Sequence, residues 1–224
     1  MQVFVAGTGK LGSELLTSLT SNQRQTILPW HSEPTSNERS IVIHAGSGRE
    51  LQTISTFCSR TSSVLIELST GSAIESVDVC FPVVLCPNTN ILMLKFMHML
   101  ECSGSLFSGY DIQLTESHQA SKKSVPGTAV AIANALSLSI DKIASVRDTA
   151  TQTGEFKIQE EHLGRHAFHQ IRINDGSCQI AMESRVVGDA PYAHGVQQIV
   201  SAVIEQKLLN RVYSITEFIE KRWV

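Results

Sequence analysis

The sequence predicts an α/β fold: an N-terminal domain on a parallel sheet, followed by a second, α+β domain on a mixed sheet. Three observations point there. Over the first ~90 residues, short all-apolar runs alternate with polar or helical stretches, as in a sheet covered on both faces by helices. Beyond them, apolar and polar residues alternate one by one, as in strands with one wet face. A Gly-x-Gly-x-x-Gly pattern lies between the first apolar run and the first helical stretch.

The expected elements follow in chain order. Val3-Phe4-Val5-Ala6 is a short strand. A helix is expected over 13–21, with Leu15, Leu16 and Leu19 on one face. Thr26-Ile27-Leu28, closed by Pro29, Ile41-Val42-Ile43, Val64-Leu65-Ile66 and Val83-Val84-Leu85 read as four further strands. A helix near 90–100 precedes the alternating run Tyr110 to Thr115, and a helix near 128–139 separates it from alternation over 166–173 and Cys178 to Met182. Val196, Ile199, Val200, Val203 and Ile204 mark an amphipathic helix, and the last ~18 residues form a short closing unit. This places a dinucleotide-binding domain at 1–88, with 206–224 returning to it. A second domain covers 89–205.

The glycine pattern carries chemistry. In Gly7-Thr8-Gly9-Lys10-Leu11-Gly12, Gly7 permits a tight turn, Gly9 lets a pyrophosphate approach the backbone, and Gly12 lets the helix pack on the strand. The helix start then offers free N–H groups to the anion. The N-terminal domain is therefore Rossmann-like, with NADH or NADPH as the expected cofactor. NAD-preferring folds carry an acid after the second strand. Here the sequence is Pro29-Trp30-His31-Ser32-Glu33. Glu33 suits NAD, whereas His31, Ser32 and Arg39 suit a 2′-phosphate. The choice stays open, leaning to NADP.

Composition excludes other classes. The net charge is −3 and basic residues are scattered, so no nucleic-acid footprint is present. No apolar stretch, Ile91 to Leu94 included, approaches the ~20 residues of a membrane span. The N-terminus lacks the basic region and long apolar run of a signal peptide, so a cytoplasmic location is expected. Five cysteines without a CxxC pair read as mostly buried thiols.

A second motif, Glu116-Ser117-His118-Gln119-Ala120-Ser121-Lys122-Lys123-Ser124-Val125-Pro126-Gly127-Thr128-Ala129, runs from a strand into a helix. An imidazole can move a proton near neutral pH, lysines bring positive charge, and a helix start, with Thr128 as N-cap, can hold a carboxylate. These are the parts of a site for an anionic substrate. A solvated loop with an idle histidine is the plainer alternative.

The stretch resembles the E-x-H-H-x-x-K-x-D-x-P-S-G-T-A signature of the 4-hydroxy-tetrahydrodipicolinate reductase (dihydrodipicolinate reductase) family. Other landmarks fall in the same order. Gly7 to Gly12 resembles its cofactor loop. His44-Ala45-Gly46-Ser47 stands where the family has Asp-Phe-Thr, and Ser69-Thr70-Gly71 resembles its Gly-Thr-Thr-Gly loop beside the nicotinamide. Cys86-Pro87-Asn88-Thr89-Asn90 resembles its Ala-Pro-Asn-Phe-Ser hinge. Gly164-Arg165-His166 resembles Gly-Glu-His, and Glu183-Ser184-Arg185 with Tyr192 to Val196 resembles Ser-Arg-x-x-Phe-Ala-x-Gly-Ala.

The resemblance implies NAD(P)H-dependent reduction of a cyclic unsaturated dicarboxylate in lysine and diaminopimelate biosynthesis. His118 would be the proton donor and Lys122 the catalytic or substrate-binding lysine. Gln119, Gly127 and Thr128 would bind substrate, and Ser69, Thr70, Gly71, Pro87 and Asn88 would join residues 7–12 around the cofactor. A homo-oligomer, tetramer or dimer, is also implied, with 89–205 as the substrate-binding and oligomerisation domain; a substrate cleft between the domains is expected because ligand sites are common there. The chain departs from the signature as a divergent, short member. Gln119 replaces the second histidine, Ser124 an aspartate, and Pro126-Gly127-Thr128 lacks the serine. The stretch Arg147 to Leu163 replaces a shorter glycine loop. The departures admit a related imine or amino-acid dehydrogenase, or a non-catalytic dinucleotide-sensing protein.

Lesser features read as structural. His162, His166 and His169 read as exposed strand histidines rather than metal ligands. Met93, Met97 and Met99 read as core, Trp30 and Trp223 as packing, and Asp141 and Lys142 as a solvated helix end. Arg165 and Arg172 read as surface charges or contacts to an anionic substrate.

Overall fold

The structure is a computed structural model describing residues 1–31, 34, 35, 37–188 and 192–224. It divides into two compact units, one comprising Met1–Leu94 with Tyr192–Val224, the other Lys95–Pro191.

The first unit is built on six parallel strands: β1 (Gln2–Ala6), β2 (Thr26–Pro29), β3 (Ile41–His44), β4 (Val64–Glu67), β5 (Val83–Leu85) and β10 (Val212–Ser214). Their spatial order is β10-β5-β4-β3-β1-β2. Strands β3 and β4 are buried along their whole length, which is why they read as unbroken apolar runs. Helices α1 (Lys10–Ser18), α2 (Leu51–Thr61), α6 (Ala193–Glu205) and α7 (Ile215–Glu220) belong to this unit. One core holds Val3, Val5, Ile41, Ile43 and Ile66 with Leu15, Val196, Ile199, Val203 and Phe218. A second holds Phe4, Val42 and Leu65 with Ile54 and Phe57, where Trp30 stacks edge-on against Phe4 and Phe57. Trp223 packs edge-on to Phe218.

The second unit carries a four-stranded sheet. Its strands are β6 (Asp111–His118), β7 (Ile143–Val146), β8 (His166–Asn174) and β9 (Gln179–Val187), in the order β7-β6-β8-β9. β6 pairs parallel with β7 and antiparallel with β8, so the sheet is mixed. Helices α4 (Gly127–Ala135) and α5 (Thr149–Gly154) belong to this unit; α3 (Ile91–Ser103) starts at the unit boundary. No helix among the described residues is long and apolar enough to cross a membrane.

Several expectations are corrected. The first helix starts at Lys10, directly on the glycine turn, and Leu16 is exposed while Leu15 is buried. The amphipathic helix α6 lies in the first unit, because its apolar stripe belongs to the parallel-sheet core. An apolar stripe says that a helix is half-buried, not which sheet covers it. His166 and His169 are buried at 5% and 2% exposure, not exposed. Cys58 and Cys86 are buried, but Cys80, Cys102 and Cys178 are exposed, and all five are free. Met93 is core, whereas Met99 is exposed. The N-cap of α4 is Pro126, which makes no side-chain cap, so Thr128 lies inside the helix.

Candidate functional site

In the first unit, the residues expected at a cofactor lie in loops leaving the C-terminal ends of β1, β4 and β5, the edge where open parallel sheets bind ligands. Gly7 has φ +128°, and a Cβ there would stand 2.4 Å from the Ala45 carbonyl oxygen. A Cβ on Gly12 would stand 2.2 Å from the Gly7 carbonyl oxygen. Both positions therefore require glycine. Gly9 is the N-cap of α1, and a Cβ on it would meet nothing within 4 Å. Thr8, Gly9 and Lys10 are exposed and Leu11 packs on the core. A tight turn, a helix start without a side-chain cap, and open space at the middle glycine fit a dinucleotide pyrophosphate. Of the candidates near the second strand, His31 and Arg39 are exposed. Ser32 and Glu33 lie outside the described residues.

The loop after β4 is organised by a buried pair that sequence reasoning missed. His44, at the end of β3, donates from Nδ1 to the Glu67 carboxyl at 2.8 Å, with both side chains fully buried. Glu67 also accepts from the Ser69 N–H at 2.8 Å and the Ser72 hydroxyl at 3.1 Å. Ser69 in turn donates to the Gly46 carbonyl at 2.8 Å. Burial alone would raise the Glu67 carboxyl, but the hydrogen bonds from His44 and Ser69 outweigh it and hold the group below its ordinary range. Thr70 and Gly71 are exposed at the tip of this loop. After β5, Asn88 accepts from the Asn90 N–H at 3.0 Å, next to exposed Pro87.

In the second unit, β6 ends in Glu116, Ser117 and His118. Strand alternation puts Glu116 and His118 on one face, where His118 Nδ1 lies 2.8 Å from Glu116 Oε2. Glu116 is fully buried and accepts two bonds from Arg147, Nη2 at 2.6 Å and Nη1 at 3.1 Å. Burial pushes the Glu116 carboxyl up, but bonds from His118 and Arg147 prevail and bring it down to about 2. A carboxylate must accept, so His118 Nδ1 is the donor. Arg147 Nε also donates to the Lys122 carbonyl at 2.9 Å, tying the loop after β6 to the same network. Gln152 of α5 clamps the strand end, donating to Ser117 Oγ at 3.0 Å and to the His118 carbonyl at 2.9 Å.

Two more histidines surround His118. His169 stands opposite Glu116 in the β6–β8 register, its ring 5.7 Å from that of His118. The His166 ring stacks at 6.5 Å, with Nε2 3.1 Å from Ser117 Oγ. Burial and the neighbouring His118 depress His169 to about 4, so its ring is neutral at pH 7. Gln119 and Lys122 are half-buried and share a turn, the Lys122 N–H donating to the Gln119 carbonyl at 2.9 Å. Gly127 and Thr128 open α4. Arg172 is half-buried on β8 and Arg165 exposed before it. Among the described residues no group of three His, Cys, Asp or Glu side chains could hold a metal ion.

The structure thus ties His118 to the backbone of Lys122 through Glu116 and Arg147. Arg147 and His169 are additions. Neither has a local sequence signal, because each reaches the site through strand pairing across a long stretch of chain.

Residues 92–219 match the family model described as dihydrodipicolinate reductase, C-terminus. A curated relative in Arabidopsis thaliana, 4-hydroxy-tetrahydrodipicolinate reductase 1, chloroplastic, is 31% identical over 133 residues, covering 55% of this chain and 38% of that protein. A probable 4-hydroxy-tetrahydrodipicolinate reductase 1, chloroplastic, of Oryza sativa subsp. japonica is 34% identical over 104 residues, covering 43% of this chain and 30% of that protein. The alignments thus span well under half of these relatives. The structure of a dipicolinate-bound dihydrodipicolinate reductase from Paenisporosarcina sp. TG-14 superposes with a TM-score of 0.66 at 15% identity, over 95% of this chain and 97% of that one, a likeness of fold. With the family model matching more than half of its length, the chain belongs to the dihydrodipicolinate reductase family.

Proposed function

We propose that the chain is a nicotinamide-dependent reductase of a small cyclic unsaturated dicarboxylate, with 4-hydroxy-tetrahydrodipicolinate as the substrate to test first. The observation that carries this reading is the network linking Glu116, His118, Arg147 and the Lys122 backbone. Residues 7–12, 69–71, 87 and 88 are the proposed cofactor contacts. The bound nicotinamide would supply a hydride.

The chain's own residues supply the rest. Glu116 holds the His118 Nδ1 proton, which leaves Nε2 as the atom that gives up a proton. Protonation completes a reduction that hydride addition begins. Lys122 provides a cation for a substrate carboxylate, and the uncapped start of α4 at Gly127 and Thr128 provides N–H groups for another. Gln119 stands where the family signature has its second histidine and would offer the substrate an amide in its place. We infer further a cytoplasmic location and a homotetramer, tested by imaging of the tagged protein and by light scattering. NADPH is favoured over NADH by His31 and Arg39, whose substitution by alanine should narrow the preference.

His118→Gln tests the mechanism. Loss of a general acid costs on the order of 10²–10⁴ in rate and should abolish the alkaline limb of the kcat profile. A folded, cofactor-binding variant with unchanged rate and profile would refute the role.

A further inference from the structure

We propose that Gln152, acting directly and through Ser117 and His166, is a positioning residue for His118. The inference rests on the reading of His118 as the proton donor. Strand β6 runs one residue past its neighbour β7: Ser117 pairs with Val146, the last residue of β7, and no β7 residue lies opposite His118. A strand end that has outrun its ladder must satisfy its backbone groups elsewhere. Gln152 of α5 does this, donating from Nε2 to the His118 carbonyl at 2.9 Å and to Ser117 Oγ at 3.0 Å. Gln152, Ser117 and His166 are all buried.

The hydrogen bonds run one way. A carbonyl can only accept, so the end of the Gln152 amide beside His118 is its NH2 group, and Ser117 Oγ accepts from it. At the other end, His166 Nδ1 lies 3.2 Å from the His162 carbonyl, so Nδ1 carries a proton. The Ser117 hydroxyl proton is left for His166 Nε2, 3.1 Å away. A second proton on His166 would sit on Nε2 and leave the buried Ser117 proton without an acceptor, which is costly. His166 is therefore held neutral, with its one proton on Nδ1.

The state of that ring matters to His118, because the two rings lie nearly parallel, 6.5 Å apart. A charge on His166 would oppose the proton that His118 has to carry. The rest of the surroundings are also basic: Lys157, His162 and Arg185 line one cavity with His166, and Arg147 acts on it from the end of β7. Burial lowers the proton affinity of His166, the bond to the His162 carbonyl raises it, and His118 and Arg147 lower it again, for a net fall. Gln152 thus fixes the backbone of the proton donor and keeps the ring beside it uncharged.

NMR of the imidazole nitrogens tests this in the full chain labelled at histidine, with His166 assigned by its loss in His166→Phe. Wild type at pH 7 should show His166 with a proton on Nδ1 and a bare Nε2. In Ser117→Ala, His166 should take its second proton up to about one pH unit higher, a factor of ten for the hydrogen bond lost by the neutral ring, and kcat should fall. Ser117→Thr, which keeps the hydroxyl, should restore both. Gln152→Leu, which also frees the His118 carbonyl, should lower kcat about tenfold while calorimetry finds cofactor affinity unchanged. A wild-type His166 protonated on Nε2 or on both nitrogens at pH 7 would overturn the proposal, and that reading needs neither Ser117 nor Gln152 variant to fold. An unmoved His166 titration in Ser117→Ala, or wild-type kcat in both Ser117→Ala and Gln152→Leu, would overturn it as well. If wild type turns over no cyclic imine dicarboxylate, the proton-donor reading falls and the positioning role with it, whatever the state of His166.

Discussion

Glu116 sets the electrostatics around His118. Its carboxyl, held at about 2, stays ionised throughout the pH range of any assay near neutrality and fixes the ring orientation. Arg147 is its counter-charge, so Arg147→Ala leaves a fully buried carboxylate with one fewer partner. A loss on the order of 3 kcal/mol is expected, read as a lower urea midpoint. The pH dependence follows from two groups. The depressed Glu116 contributes stability above its unfolded value near ~4.3, lost as pH falls towards about 2. His169, depressed to about 4, is protonated first in the unfolded chain, whose value is near ~6.5. Its contribution is complete above ~6.5 and is lost as pH falls towards about 4. Urea midpoints of His169→Gln should therefore fall less than wild type between pH 6.5 and 4, and as much as wild type below. An identical slope in the upper window would show that His169 is not buried neutral. Lys122→Ala should raise the substrate KM or lower kcat while calorimetry finds cofactor affinity unchanged; wild-type kinetics would make it a surface lysine.

At the scale of elements, the glycine turn separates folding from binding. Gly12→Ala drives a Cβ into the Gly7 carbonyl, so α1 must shift, at a cost of about 1–3 kcal/mol visible as a lower melting temperature. Gly9→Asp meets open space, so that variant should fold normally while its charge repels a pyrophosphate. Unchanged NAD(P)H affinity in folded Gly9→Asp would remove the turn from the cofactor site. The turn was legible because its geometry is local: a strand, a positive φ and a helix within a dozen residues. Strands β3 and β4 were legible because both faces are buried. Strand β7 escaped notice because four residues at a sheet edge carry little periodicity. The His44–Glu67 pair escaped because two polar residues ending apolar runs look like strand termini until β3 and β4 are paired in register. The same reason hid Arg147 and His169. His118 and Lys122 were legible only because they share one loop with a recognisable order of residue types.

For the molecule as a whole, family membership rests on residues 92–219, and the fold likeness extends over nearly the whole chain. Those findings place the scaffold. The chemistry rests on the network at His118, in which Gln119 replaces an expected histidine while His166 and His169 arrive from β8. Whether this rearranged site reduces the family's kind of substrate is the central claim. The direct measurement is oxidation of NADPH and NADH by the purified chain on addition of freshly generated 4-hydroxy-tetrahydrodipicolinate. The account predicts substrate-dependent oxidation in wild type, reduced by on the order of 10²-fold or more in His118→Gln. A wild-type chain that binds the cofactor yet oxidises none of it with this or any other cyclic imine dicarboxylate would contradict the account and mark a dinucleotide-sensing protein.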